Sequence, residues 1–317
     1  MVIVLGLFLL LPVLMAAWVA VSDWSGRGAP WGSGVHFVGL QNFGDVFGGD
    51  QIATSRFGTS LRNNFYYVLL VVPLQTALSL GLAFMVNKRA LRAKGFYRTA
   101  FYFPSVTSTV AITVLWLFLF SSSGAINQAM GWLNLHGPNW FFDPRGIFHL
   151  AVGGGPGPSA LVNHGFLGVS FWDWLSGPSV AMTAFILMAI FTTSGTFMLL
   201  FLAALQAIGE DTDEAAMIDG AGSWRRFRSI TMPMLRPTIF TVLTLGTIGG
   251  WQVFDQIYTA GQAGGPANTT LTPAFLSYDA AFLSQQWGRG AAIAFVLFGL
   301  IVIFTLLQRL LLNRVSK

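Results

Sequence analysis

The stretch "EAAMIDGAGSWRRFRSITMPMLRP", Glu214 to Pro237, lies between two long apolar runs in a chain with little charge elsewhere. Of 317 residues, 54% are hydrophobic and only 9% are charged, whereas a soluble domain carries roughly 25% charged residues. Most of the surface therefore faces something other than water. A hydrocarbon core about 30 Å thick takes roughly 20 apolar residues per helix. Six such runs stand out: Val2 to Val21, Phe65 to Val86, Ala100 to Phe120, Val180 to Ile208, Thr238 to Tyr258 and Ala291 to Leu312. The expected fold class is all-α, a polytopic membrane protein with one transmembrane domain over residues 1–317. The first run is too long for the apolar core of a cleaved signal and reads as a retained span.

The basic residues set the expected orientation. Lys88, Arg89, Arg92, Lys94 and Arg98 follow the second run; Arg225, Arg226, Arg228 and Arg236 follow the fourth; Arg309, Arg314 and Lys317 close the chain. If six spans alternate, all of these fall on one side, and only Arg27, Arg56, Arg62, Arg145 and Arg289 are left for the longer loops opposite. Lys and Arg near span ends are retained in the cytoplasm, so both termini are expected on the cytoplasmic side. The positive balance of +5 thus reflects topology and gives no reason to invoke nucleic acid.

Three loops then face outward. The second, residues 121–179, contains the Gly/Pro run "AVGGGPGPS", expected as a flexible connector, flanked by Trp132, Trp140, Phe141, Phe142, Trp172 and Trp174. Two readings fit those aromatics: an interfacial belt at headgroup depth or a docking surface for an extracytoplasmic partner. In the third loop, Gly264, Gly265 and Pro266 mark a turn.

The opening stretch, within an insert spanning residues 209–237, lies on the cytoplasmic side. Asp211 with Glu214 has the form of a capping box, predicting a short helix from about Thr212 to Ile218 that stops where Gly220 and Gly222 permit a left-handed turn. Ser223 is expected to cap a second helix, with Trp224 and Phe227 on one side and Arg225 and Arg228 on another. Pro233 and Pro237 are expected to end it. Six spanning helices have no need of such a knob. A basic loop that merely holds topology explains the arginines but not the glycines and prolines, and an amphipathic lump on a stiff mount suits a groove in another protein.

At these residues the chain resembles the permease subunits of bacterial ATP-binding-cassette importers. Glu214, Ala215, Ala216, Gly220, Ile230 and Pro233 match the pattern EAA, three residues, Gly, nine residues, Ile, one residue, Leu, Pro, with Met232 in the place of Leu. "VGLQNF", "FYRTAFYFPSV", "VFDQIY", "GGPANTT" and "WGRGAAIAFVLF" look like the carbohydrate branch, of the maltose-permease first-subunit type. The resemblance implies the type I importer permease fold and alternating access. It implies that Glu214, Ala215, Ala216, Asp219, Gly220, Ile230 and Pro233 couple to an ATPase. It also implies an ATPase dimer that binds ATP and Mg, a second homologous permease subunit, and an extracytoplasmic binding protein that delivers a sugar or related solute.

The residues exclude other chemistry. There is no cysteine, and so no disulfide, thiolate nucleophile or cysteine-ligated zinc. No GxxxxGK[ST] occurs to cradle ATP phosphates, and no GxSxG nucleophile elbow. His36, His136, His149 and His164 show no i, i+4 pairing for a metal. Asp255 is the titratable group of interest, since a carboxylate in hydrocarbon costs about 2.5–3.5 kcal/mol and must face protein or water. With Trp251, Gln252, Gln256 and Tyr258 it forms an aromatic and amide cluster of the kind that holds sugars; alternatively Asp255 caps or pairs at the helix end while Trp251 and Tyr258 sit in the aromatic belt. Gly246 and Gly250 form a GxxxG suited to close helix contact, and Thr192, Thr193, Ser194 and Thr196 are weaker solute candidates. The rival functional class is a membrane-embedded enzyme, such as a glycosyltransferase on a lipid-linked sugar, with Asp255 as acid or base.

Overall fold

In the computed structural model, which describes residues 2–49, 51–88, 91–153, 155, 157–209, 212, 216–261 and 264–315, the apolar runs are helical. Ile3–Ala20, Val180–Ala207 and Trp287–Val315 follow the expected first, fourth and sixth spans closely. The second run is the apolar part of a longer helix, Gln51–Asn87, of 37 residues. That is about 55 Å at 1.5 Å per residue, well beyond a bilayer core. Its first turns escape a hydropathy reading because their buried face mixes Ala53 and Phe57 with Ser60 and Asn64.

Two expected spans differ from the sequence reading. Residues 100–120 are not one straight helix but two, Lys94–Val106 and Thr109–Leu119, bent by 96°. Thr107 is extended at the break, and its hydroxyl donates to the Phe103 carbonyl at 2.9 Å, so a side chain replaces a helical bond there. The fifth run is also displaced: the helix is Met232–Trp251, the chain unwinds over residues 252–254, and a short helix Asp255–Thr259 follows. Among the described residues four helices are long and apolar enough to cross a membrane, or five if the bent pair is one span; the expectation was six.

The chain divides into two compact units whose boundaries fall inside helices. One comprises the chain up to Tyr67, Leu117–Ala184 and Trp251–Ile303. Here the polar start of helix Gln51–Asn87 bonds directly to backbone. Asn63 Nδ2 donates to the carbonyls of Asn268 at 2.8 Å and Leu271 at 3.0 Å, and Asn64 Nδ2 to that of Trp251 at 3.1 Å. Arg56 pairs with Asp279 at 2.7 Å. The 121–179 loop is structured by short helices and a two-stranded antiparallel hairpin, Gly165–Phe166 with Val169–Ser170. Of its Gly/Pro run, Gly154 and Pro156 lie outside the described residues. The loop aromatics divide: Phe141 is buried, whereas Trp132 and Phe142 are exposed.

The other unit comprises Val68–Trp116, Phe185–Gly250 and the chain from Phe304. Its core joins Ala83 and Val86 with Met198, Phe201, Leu235 and Val242. Small residues let these helices approach closely. Added Cβ atoms at Gly246 and Gly250 would strike Gln75 and Val68, and one at Gly195 the backbone at Phe101, which is the packing the GxxxG spacing suggests. The Ser/Thr cluster serves the same contacts: Thr193 donates to Gln75 Oε1 at 2.5 Å, and Ser105 donates to the Thr192 carbonyl at 2.5 Å.

Candidate functional site

The insert belongs to the second unit, and its geometry is set by glycine. Glu214 and Ala215, with the capping residue Asp211, lie outside the described residues. Thr212 and residues 216–218 are helical, and Ala216 is buried. The helix stops in a paired C-cap: the Ala221 N–H reaches the Ala216 carbonyl at 2.9 Å and the Gly220 N–H that of Met217 at 3.0 Å. Gly220 has φ +74°, the left-handed conformation this motif requires and which costs a residue with a Cβ about 1–2 kcal/mol.

Three details of the expected insert are corrected. Gly222 is not left-handed but extended, at φ −64° and ψ 162°, and it, not Ser223, is the N-cap of the next helix. Nor do Pro233 and Pro237 end that helix. Ser223–Arg226, the π-helical turn Phe227–Thr231 and Met232–Trp251 run on without a break. The wide turn, closed by the Met232 N–H on the Phe227 carbonyl, sits just before Pro233, where it accommodates a ring that would clash in a regular helix.

The expected faces do form. Trp224 stacks on Phe227 with ring centroids 5.5 Å apart, and Phe227 packs edge-on against Phe84 at 5.4 Å. One side of the insert is thereby anchored on helix Gln51–Asn87. Met217, Ile218 and the outer face of Trp224 stay in the open, Ile218 at 87%. Asp219 and Gly220 are exposed beside them, while Ile230 and Pro233 are half-buried in the mount.

The second group of candidate residues lies in the first unit. Unwinding after Trp251 means that Trp251, Gln252, Asp255, Gln256 and Tyr258 do not share one helical face. Trp251 is fully buried and offers no face to a solute. Gln252, Asp255 and Tyr258 are exposed, and Gln256 is half-buried. The break is held open by Thr272, whose hydroxyl donates to the Val253 carbonyl at 2.9 Å. Asp255 begins the short helix, where a carboxylate meets the positive end of the backbone dipoles.

What the sequence reading missed is the aromatic row beside Tyr258. Phe254 stacks on Tyr258 at 5.4 Å and meets Tyr278 at 5.2 Å; the row continues through Phe282 to Trp287 and Trp24. Phe254, Tyr278, Phe282, Trp287 and Trp24 wall a cavity of about 450 Å³. Tyr258 also meets Tyr278 edge-on at 5.3 Å, and its hydroxyl holds the Tyr278 phenol above its ordinary value. Phe275, Tyr278 and Phe282 recur at helical spacing in the sequence, a signal of one aromatic face.

With this architecture in view, the family described as the binding-protein-dependent transport system inner membrane component matches residues 75–317. The chain belongs to this family. The permease is 30% identical over 306 residues to the lactose transport system permease protein LacF of Rhizobium radiobacter, covering 96% of this chain and 88% of that one. It is 30% identical over 299 residues to the trehalose/maltose transport system permease protein MalF of Thermococcus litoralis, covering 94% and 86%. Its fold matches a chain from the crystal structure of a bacterial ABC transporter involved in the import of the acidic polysaccharide alginate, with a TM-score of 0.69 at 19% identity over 100% of this chain and 93% of that one. The permease is a multi-pass inner-membrane transport subunit, and membership displaces the glycosyltransferase alternative.

Proposed function

We propose that the permease forms half of the pore of an ATP-driven importer and carries a sugar or related solute by alternating access. Relatives of about 30% identity named for lactose and for trehalose/maltose transport support a carbohydrate solute. A second homologous permease completes the pore, an ATPase dimer binds ATP and Mg, and an extracytoplasmic binding protein delivers the solute. Six membrane crossings with both termini in the cytoplasm, the unwound and bent segments included, put residues 209–237 on the ATPase side and residues 121–179 on the other.

The observation that carries this reading is the insert: three large apolar side chains on a capped turn, mounted by Phe227 on a spanning helix. Such a surface suits a groove in a partner, and its continuous connection from Ser223 to Trp251 lets a push at the knob move a whole helix. In this reading Glu214, Ala215, Ala216, Asp219, Gly220, Ile230 and Pro233 shape the coupling element. Gln252, Asp255, Gln256 and Tyr258 present hydrogen-bonding groups and a ring to the solute, while Trp251 supports them from within the core. Replacing Ile218 with Ser is expected to cut ATP-dependent uptake at least tenfold while the protein reaches the membrane at its usual level. Unchanged uptake would reject the coupling role.

A further inference from the structure

The 121–179 loop and the polar start of helix Gln51–Asn87 enclose a cavity of about 390 Å³ that no role above uses. Ser55, Thr59 and Arg62 line it from one face of the helix, and Arg145, His149 and Asp173 from the loop. Arg62 is the unusual member. Only 9% of it is exposed, yet its guanidinium makes just two hydrogen bonds, from Nη1 to the Asp173 main-chain carbonyl at 3.3 Å and from Nη2 to Asn63 Oδ1 at 3.0 Å. Arginine carries five N–H donors, and the Arg62 Nε is enclosed without a partner.

A buried cation is costly unless a counter-charge meets it. Among the described residues no carboxylate lies within ion-pair distance of Arg62. Asp173 acts on it electrostatically, but the Asp173 carboxylate accepts from Ser170 Oγ at 2.7 Å. The second cation is already satisfied, since Arg145 Nη2 meets Asp143 Oδ2 at 2.6 Å. His149 stacks on Trp172 with centroids 4.2 Å apart, and its Nε2 is likewise enclosed without a partner. The cavity thus holds a cation that meets the Asp173 carboxylate only at a distance and keeps an unused N–H, a fixed imidazole, and Ser55 and Thr59 a helical turn apart.

We propose that this cavity binds a small carboxylate carried on a sugar-sized framework, such as a uronate, with Arg62 as its counter-charge and Ser55, Thr59 and His149 as hydrogen-bonding neighbours. The volume is larger than a carboxylate needs and lies at the small end of ligand sites, which run from roughly 300 to 1,000 Å³. It suits one ring rather than a chain of them. The site is independent of the coupling insert, and its test needs no ATPase.

Calorimetric titration of the full chain in lipid nanodiscs, with glucuronate as probe and glucose as its uncharged counterpart, tests the assignment. Glucuronate is expected to bind at least tenfold more tightly than glucose. Arg62→Gln is expected to weaken glucuronate binding at least tenfold without altering the response to glucose. Because Arg62 also holds the Asp173 carbonyl, Thr59→Val and His149→Phe serve as second variants; each is expected to weaken glucuronate binding several-fold with an unchanged thermal transition. No heat with glucuronate, equal affinity for glucose, or folded variants that bind glucuronate as the parent does would each overturn the proposal.

Discussion

Around residue 218 the chain leaves large apolar side chains in the open, whereas around residue 63 it places polar ones inside. Ile218 and Trp224 are 87% and 70% exposed, while Asn63 and Asn64 are 3% and 0% exposed. The buried amides find their acceptors within the chain, each donating to backbone carbonyls of the 251–271 segment. The exposed apolar groups have no such completion among the described residues. In one region the amide donors are met by the protein's own folding; the other is shaped for something else to cover. Substitutions should therefore separate stability from function.

The largest separation is expected between two tryptophans. Trp251→Ala opens a cavity in a filled core and should cost about 3–5 kcal/mol, read as a fall in the thermal midpoint of the protein in detergent. Trp224→Ala should shift stability by less than about 1 kcal/mol while abolishing most transport. A large stability loss at Trp224 would make the insert a structural element and remove the contrast. Next in size, Asn64→Leu leaves the Trp251 carbonyl without its donor inside the fold, a loss of about 1–3 kcal/mol that should appear as lower stability. Gly220→Val forces a branched residue into the left-handed position at about 1–2 kcal/mol, confined to the cap; uptake should fall further than the thermal midpoint does.

The smallest expected effect is the pH response of the loop. The hydrogen bond from Arg145, with its positive charge, holds the Asp143 carboxyl below the usual carboxylate range. A depressed carboxylate contributes stability that is present above its unfolded value, about 3.9, and lost as pH falls through its lower folded value. Proteolytic protection of the 121–179 loop should therefore be flat from neutral pH to about pH 4 and decline below it. In Arg145→Gln the folded and unfolded values draw together, so protection should be slightly lower at neutral pH and its decline in acid shallower. Arg145 is 64% exposed, so solvent screening keeps the effect small.

How much of this was legible in the sequence depends on what each residue's local pattern records. Long apolar runs and basic flanks are local, and they located most helices and the insert. Gly220 was legible because a C-cap glycine has a local reason to exist. The straight third span and the proline-terminated insert were misread because Thr107 and the π-turn before Pro233 act through hydrogen bonds that hydropathy does not record. Tertiary partners were hidden as well. The 51–64 turns are helical because Asn63 and Asn64 reach residues 205 and 187 positions away, and Trp251 is a core residue because the chain unwinds immediately after it. Arg62 was read only as one of five charges outside the inner turns, since its burial depends on a loop more than 80 residues later in the chain.

The chain contains no cysteine, so a single thiol can be placed without background. With Ile218→Cys in the assembled transporter, a short bifunctional maleimide should join the permease to an ATPase subunit bearing a thiol in its groove, and the yield should change when ATP is bound. A thiol at 218 that remains fully open to a water-soluble maleimide in the assembly, and forms no cross-link in either nucleotide state, would contradict the account.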